Sequence, residues 1–129
     1  MTLYVTCGGS APSTCATGGG SGGTINIGGS GYVNLSAPTS GAYQGVTVFY
    51  DRNNSAGLSI VGNGSQLSGT VYAKSATMTI TGNSGNMADN SLIVVDQFFF
   101  NGNTGFIDNF TPGSNYPHPQ KLGPAKLVQ

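Results

Sequence analysis

The sequence contains few charged side chains. Four Lys and Arg residues balance four Asp and Glu residues in a chain of 129 residues with zero net charge. A protein that binds nucleic acid normally carries a basic patch, so we expect no nucleic-acid partner. Glycoside hydrolysis needs two carboxyl groups that flank one bond, whereas the four aspartates here lie in separate segments. We therefore expect a protein that is not an enzyme and has no catalytic residues.

Ligands for metals and cofactors are also scarce. The chain has no acidic loop with the spacing of a calcium site, and its glycine runs lack the lysine of a phosphate-binding loop. The only histidine, His118, lies between Pro117 and Pro119, and no neighbour in the sequence would position it for proton transfer. We expect neither a metal nor a cofactor.

Long apolar runs are absent as well. A helix that crosses a bilayer needs about 20 mostly apolar residues, and the chain has no such run, so we expect no membrane span. The start of the chain lacks the pattern of a signal peptide and instead alternates like a strand over residues 2–6. We interpret the chain as the C-terminal portion of a longer exported protein whose targeting segment is missing.

Cysteine is limited to Cys7 and Cys15. Their spacing is unlike that of a redox or zinc-binding pair, and no histidine lies near them. A disulfide across a loop and two free thiols both remain open, with the disulfide as the favoured candidate. A disulfide would place the protein outside the reducing cytosol.

Glycine, by contrast, is abundant, with 22 residues, and it occurs at fixed positions of a repeated sequence motif. Short alternating strands end in a Gly-Asn corner at residues 58–63, 78–83 and 98–103, and a weaker copy occupies residues 25–30. Gly62, Gly82 and Gly102 are spaced by 20 residues. A repeat of this length is typical of a solenoid. The sequence therefore predicts an all-β fold, a single-stranded parallel β-helix with about 20 residues per rung, right-handed by default.

The period also predicts which side chains stack. Equivalent positions of neighbouring rungs lie about 4.8 Å apart, so two apolar columns and one asparagine ladder are expected. The members of these stacks are Leu58, Met78 and Phe98; Ile60, Ile80 and Phe100; and Asn63, Asn83 and Asn103.

The composition divides the chain into three parts. Residues 1–23 are expected to form a leading strand and a mobile Gly/Ser-rich loop, residues 24–110 the solenoid, and residues 111–129 a proline-rich tail or cap. Within the solenoid, residues 51–55 predict a polar turn in which Asp and Asn side chains bond to the local backbone.

Several phrases resemble a known family. The chain contains the stretches Val46-Thr-Val-Phe-Tyr-Asp-Arg-Asn, Ile60-Val-Gly-Asn-Gly, Leu67-Ser-Gly-Thr-Val-Tyr-Ala73 and Met78-Thr-Ile-Thr-Gly-Asn83, together with Val33–Gly41 and the closing Lys126–Gln129. These stretches are similar to the C-terminal domain of TadG-like and some PilX-like pilus-assembly-associated bacterial proteins. The resemblance covers residues 24–100 and implies an exported or membrane-tethered envelope protein of the tight-adherence pilus system. It offers no catalytic residue to carry over.

These observations lead to a functional expectation with two alternatives. We expect a structural or adhesive module of the bacterial cell surface or periplasm that is able to associate end to end into a filament, because the end strands of a solenoid are open edges. A carbohydrate-binding protein similar to an adhesin or tail fibre is the alternative, with Tyr32, Tyr43, Tyr50 and Tyr72 as candidate aromatics. Ice binding through Thr77, Thr79 and Thr81 is disfavoured, because the threonine row does not continue at the equivalent positions.

Overall fold

The computed structural model describes residues 1–8, 15–28, 33–61, 65–82 and 88–102. The predicted asparagine ladder, Tyr32, His118 and the proline-rich segment 111–129 lie outside these residues. The described strands, in chain order, are β1 (Leu3–Val5), β2 (Ile25–Ile27), β3 (Asn34–Ser36), β4 (Val46–Tyr50), β5 (Leu58–Val61), β6 (Gln66–Thr81) and β7 (Ala88–Asn101).

All seven strands belong to one parallel sheet, and β6 is its central element. Along one edge β6 pairs in turn with β3, β4 and β5, and along its other edge it pairs with β7. Beyond β4 lies β1, and beyond β5 lies β2. The outermost described strands are therefore β1, β2 and β3 at one edge of the sheet and β7 at the other.

The expectation of a single-stranded β-helix with 20-residue rungs is wrong. The structure instead shows one curled sheet. Its two longest strands, of 16 and 14 residues, run through the points where the solenoid required breaks. The sequence explains this difference, because residues 74–77 and residues 96–97 contain no Gly, Pro or Asn that would end a strand. The spacing between paired residues is also uneven, since Leu3 pairs with Val48 but Leu58 with Met78.

The hydrophobic core lies against one face of this sheet. Alternate residues of β6 are buried while their neighbours are partly exposed, the pattern of a strand with one apolar face. The buried core cluster consists of Val48, Tyr50, Leu58, Ile60, Leu67, Val71, Ala73, Ala76, Met78 and Ile80. Partly buried side chains from β1, β2, β3 and β7 pack against it, so every strand contributes to one core.

A glycine allows the sheet to bend beside β4. The registers of β6 with β4 and with β7 both shift near Gly69, whose φ is 110°. A Cβ added there would lie 2.5 Å from both Ala37 Cβ and Thr47 Oγ1. Both the left-handed backbone and the close approach of Thr47 therefore require glycine at this position.

Candidate functional site

The first candidate surface is the outer edge of β7. In the described part of the chain, β7 pairs with β6 and with no other strand. Five of its apolar side chains are between 37% and 56% exposed, namely Leu92, Val94, Phe98, Phe99 and Phe100. Large apolar side chains that are exposed in a row mark an interaction surface more often than isolated ones do. We call this strand edge, residues 91–101, the β7 edge.

The predicted apolar columns lead directly to the β7 edge. Leu58 pairs with Met78, and Met78 pairs with Phe98. Leu58 and Met78 are almost completely buried, whereas Phe98 is 41% exposed. Ile60, Ile80 and Phe100 form the same sequence of two buried residues and one exposed residue. The structure therefore brings both sets together, but the third member of each belongs to the outermost described strand.

The second candidate surface lies at the opposite end of the sheet. Its outer layer consists of β1, which pairs with β4, and β2, which pairs with β5, without a further partner among the described strands. The N-terminal ammonium of Met1 donates to Ser36 O at 2.8 Å, and Thr2 Oγ1 donates to Val46 O at 2.8 Å. Because these bonds hold the start of the chain beside β3 and β4, residues 1–5 and β2 form one edge. We call it the β1–β2 edge.

A disulfide joins Cys7 and Cys15 between β1 and β2. Cys15 is buried, with 4% of its surface exposed, and its carbonyl accepts a hydrogen bond from Asn53 Nδ2 at 3.3 Å. The segment that follows passes close to the bridge, since a Cβ on Gly22 would lie 2.7 Å from Cys7 Sγ. The disulfide therefore forms part of a packed connection between the two strands.

Asn54, in the turn after β4, forms hydrogen bonds with Gly22 and Gly23 of this connection. Its side chain is fully buried; its Oδ1 accepts from Gly22 N at 2.8 Å and Ala56 N at 3.0 Å, and its Nδ2 donates to Gly23 O at 3.0 Å. Gly20 bonds to the backbone of the same turn through Asn53 O at 3.1 Å. Residues 20–23, which composition predicts to be mobile, are thus hydrogen-bonded to the sheet in this structure.

The predicted turn at residues 51–55 is built as expected around local hydrogen bonds. Asp51 Oδ1 accepts from Asn53 N at 2.9 Å, and Asp51 O accepts from Asn54 N at 2.9 Å. Asp51 is only 7% exposed, and its carboxylate stabilises the turn through the hydrogen bond from Asn53 N. Sequence reasoning placed the turn but did not single out Asn54, because nothing in the sequence distinguishes it from Asn53.

A row of stacked aromatic rings lies on the outer face of the sheet. Tyr4 stacks on Phe49 with ring centroids 5.3 Å apart, and Phe49 stacks on Tyr72 at 5.2 Å. Tyr43 lies beside Tyr4 and Phe49 with its ring tilted by 51° and 59°. A cavity of about 310 Å³ is lined by the three stacked rings and by Asp51 and Arg52. The 20-residue period could not reveal this row, because Phe49 and Tyr72 are not separated by 20 residues.

The candidate aromatics for carbohydrate binding divide between surface and core. Tyr43 and Tyr72 belong to the outer row, whereas Tyr50 is fully buried and its hydroxyl oxygen accepts a hydrogen bond from Ile25 N at 2.8 Å. Burial raises the pKa of Tyr50 above its usual value, and hydrogen bonding with Ile25 and Thr24 opposes that rise. Tyr50 is therefore a core residue that connects β4 to β2.

The polar surface beside the turn includes the charged side chains of Lys74 and Asp96. A cavity of about 470 Å³ is lined by Gly18, Gly19, Asn53, Lys74, Ser75 and Asp96. Within the described ranges, no group of three or more His, Cys, Asp or Glu side chains is placed to hold a metal ion. The same residues contain no helix long and apolar enough to cross a bilayer.

Comparison with known proteins identifies no relative. No family model, no curated protein and no solved structure matches this chain. The class that the fold defines is an all-parallel β protein whose sheet presents apolar edges at both ends.

Proposed function

We propose that this chain is a non-enzymatic structural or adhesive module of a bacterial cell-envelope or pilus-associated protein of the tight-adherence type, and that its copies associate end to end. The observation that carries the proposal is the β7 edge, residues 91–101 of a strand of 14 residues, which has five exposed apolar side chains. The partner that we assign to this edge is the β1–β2 edge of a second copy.

Strand direction supports the choice of a second copy. Because every strand is parallel, β1 and β2 of another copy can pair with β7 and continue the same hydrogen-bond pattern. The two surfaces are different, so the contact is heterologous and leaves a free edge at each end of a pair. Such a contact extends into a filament unless rotation closes a ring.

The side chains of the two edges also favour contact. Proteins that remain monomeric protect edge strands with lysine, proline or inward-pointing charges. Residues 3–5 and 25–27 carry no charge, and the described part of β7 carries only Asp89 and Asp96. With zero net charge overall, long-range repulsion between copies is weak.

The proposed location draws on two observations. The Cys7–Cys15 disulfide is the form expected in an oxidising compartment such as the periplasm or the cell surface. The phrases that resemble TadG-like proteins supply the link to a pilus system, and their strands β3, β4, β5 and β6 all belong to the sheet.

Neighbouring residues of β7 provide the test. Phe100 pairs with buried Ile80, so its side chain faces the core side, whereas Phe99 pairs with half-exposed Thr79 on the outer face. The F100K variant places a lysine where a second copy would bury its charge at a high cost in free energy. F99K is the matched control, because its lysine lies on the outer face and remains in contact with water. We expect the wild-type protein and F99K to form concentration-dependent oligomers in sedimentation velocity, and F100K to be monomeric. A monomeric wild-type protein at millimolar concentration would overturn the proposal.

Carbohydrate binding is a second candidate, favoured by the cavity beside the aromatic row. Phe49 contacts Tyr4 with one ring face and Tyr72 with the other, which leaves mainly its edge for a sugar. Tyr43, tilted and 45% exposed, is the ring best able to stack on a sugar face. Affinity electrophoresis in gels that contain xylan or soluble chitin derivatives tests this candidate. Retardation that Y43A removes would support it, and unchanged mobility in every gel would refute it.

A further inference from the structure

We infer that the joint between copies has a single register, in which Leu3 of one copy lies opposite Ile93 of the next and Ile25 lies opposite Phe98. The inference rests on the proposed end-to-end association and specifies how the two edges meet.

The register follows from rows of paired residues that cross the whole sheet. Each row begins on the β1–β2 edge and ends on the β7 edge, so a second copy can extend every row by one step. The core-facing rows are Leu3, Val48, Val71 and Ile93; Ile25, Leu58, Met78 and Phe98; and Ile27, Ile60, Ile80 and Phe100. All members of these rows are apolar, so the inferred register joins apolar side chains at every core position.

The outer face extends in the same way. Tyr4, Phe49, Tyr72 and Val94 form one outer row, in which the first three rings stack. Tyr4 is 42% exposed and Val94 is 37% exposed. Placing Tyr4 of one copy over Val94 of the next covers an apolar surface on both, and it continues the aromatic row across the joint.

A slip by one residue would break this match. Side chains of a strand alternate between its two faces, so a one-residue shift moves the whole apolar set to the opposite face. It would bring Leu3, which packs on the core, opposite Val94 on the outer face. A slip by two residues preserves the faces, but it would place Ile25 opposite Asp96 in one direction and Ile27 opposite Gly102 in the other.

In this register, β1 and β2 of one copy pair with two different parts of β7 of the next copy. Val95 and Phe98 are three residues apart on β7, whereas their partners Ala73 and Met78 are five residues apart on β6, so β6 bulges between the two segments. At the other edge, Leu3 and Ile25 begin the rows that end at Ile93 and Phe98. The disulfide and the Asn54 hydrogen bonds hold the chain between Val5 and Ile25. The β1–β2 edge is therefore pre-organised to fit β7 at both segments.

Cysteine cross-linking tests the register in the whole 129-residue chain. Directly opposite residues of neighbouring strands lie about 4.8 Å apart, within the Cα separation that a disulfide accepts. The natural cysteines are already bonded to each other. We expect the Y4C/V94C variant to form a ladder of covalent oligomers on a non-reducing gel after mild oxidation. The N26C/F99C variant places its cysteines on β2 and on the C-terminal part of β7, and we expect it to form the same ladder. It keeps the register testable if Y4C/V94C does not fold.

Slipped pairs are the controls. Y4C/L92C keeps both cysteines on the outer face but requires a slip by two residues, so we expect its ladder to be lost. A ladder from Y4C/L92C and none from Y4C/V94C or N26C/F99C would overturn the register, while association of the wild-type protein would still support the proposed function. Absence of ladders together with a monomeric wild-type protein would overturn both.

Discussion

Replacing Asn54 by alanine is expected to destabilise the protein more than its position in a polar turn implies. The side chain is fully buried and makes three hydrogen bonds of 2.8 to 3.0 Å with Gly22, Gly23 and Ala56. An alanine leaves two backbone N–H groups and one carbonyl without these partners. Sequence-based reasoning gives no reason to expect a large effect, so the structure alone makes this prediction.

The magnitude follows from those three bonds. A typical hydrogen bond contributes about 0.5–1.5 kcal/mol net, and a buried group left without a partner costs about 1–3 kcal/mol. Water can reach Gly23, which is exposed, so the lower values apply there. We expect Asn54→Ala to reduce the free energy of unfolding by about 2–4 kcal/mol, a large share of the roughly 5–15 kcal/mol that stabilises a typical domain.

Asn53 provides the matched control for this experiment. It is the same residue type in the same turn, but it is half-buried, and its one side-chain bond, to Cys15 O, is 3.3 Å long. Asn53→Ala should cost about 1 kcal/mol or less. The assay is urea unfolding followed by tyrosine fluorescence, because the chain has no tryptophan. Equal losses in the two variants would refute the role assigned to Asn54.

Three further predictions concern the connection, the core and the bend. Replacing both Cys7 and Cys15 by serine should lower the free energy of unfolding by about 2–3 kcal/mol, because the unfolded chain regains the entropy of a short closed loop; urea unfolding checks this, and a loss no larger than 0.5 kcal/mol would contradict it. The raised pKa of Tyr50 means that the folded protein holds the phenol proton more tightly than the unfolded chain. The contribution of Tyr50 to stability should therefore be constant below about pH 10 and should fall at higher pH. Tyr50→Phe should reduce this fall in urea unfolding at several pH values, and identical pH profiles of the two proteins would argue against it. Gly69→Ala should lower the free energy of unfolding by about 2–5 kcal/mol, because the strain at positive φ and the contact with Thr47 add. Gly41→Ala, with φ of 91° and open space around it, should lower it less, and thermal unfolding of both variants checks this difference.

The short-range pairing could be predicted from the sequence, whereas the architecture could not. The phrases at Leu58, Met78 and Phe98 repeat with a fixed period, and these residues are neighbours in the sheet. The connections, residues 62–65 and 82–87, differ by two residues, and the period holds because the part of β6 that ends at Met78 is longer by two residues than the part of β7 that ends at Phe98. It fails elsewhere, since β1 and β2 pair with strands that follow long insertions, and insertions of this kind leave no periodic trace.

The predicted rung of 20 residues required a corner between residues 67–73 and residues 78–81. The intervening Lys74, Ser75, Ala76 and Thr77 contain no turn residue, and Ala76 is fully buried in the core. Absence of a breaker over four residues was the available signal that one strand continues, and it outweighs a period inferred from three repeats.

The candidate edges show why composition is a weak guide to order in this chain. The run of glycine and serine before β2 has the composition of a flexible linker, yet Gly22 packs too closely against Cys7 and Thr6 to accept a side chain. Its small size is what lets the connection pass between the disulfide and Asn54. The same glycines that indicate disorder by composition therefore allow the close packing that aligns β1 with β2, and that alignment is the feature on which a register-specific joint with β7 depends.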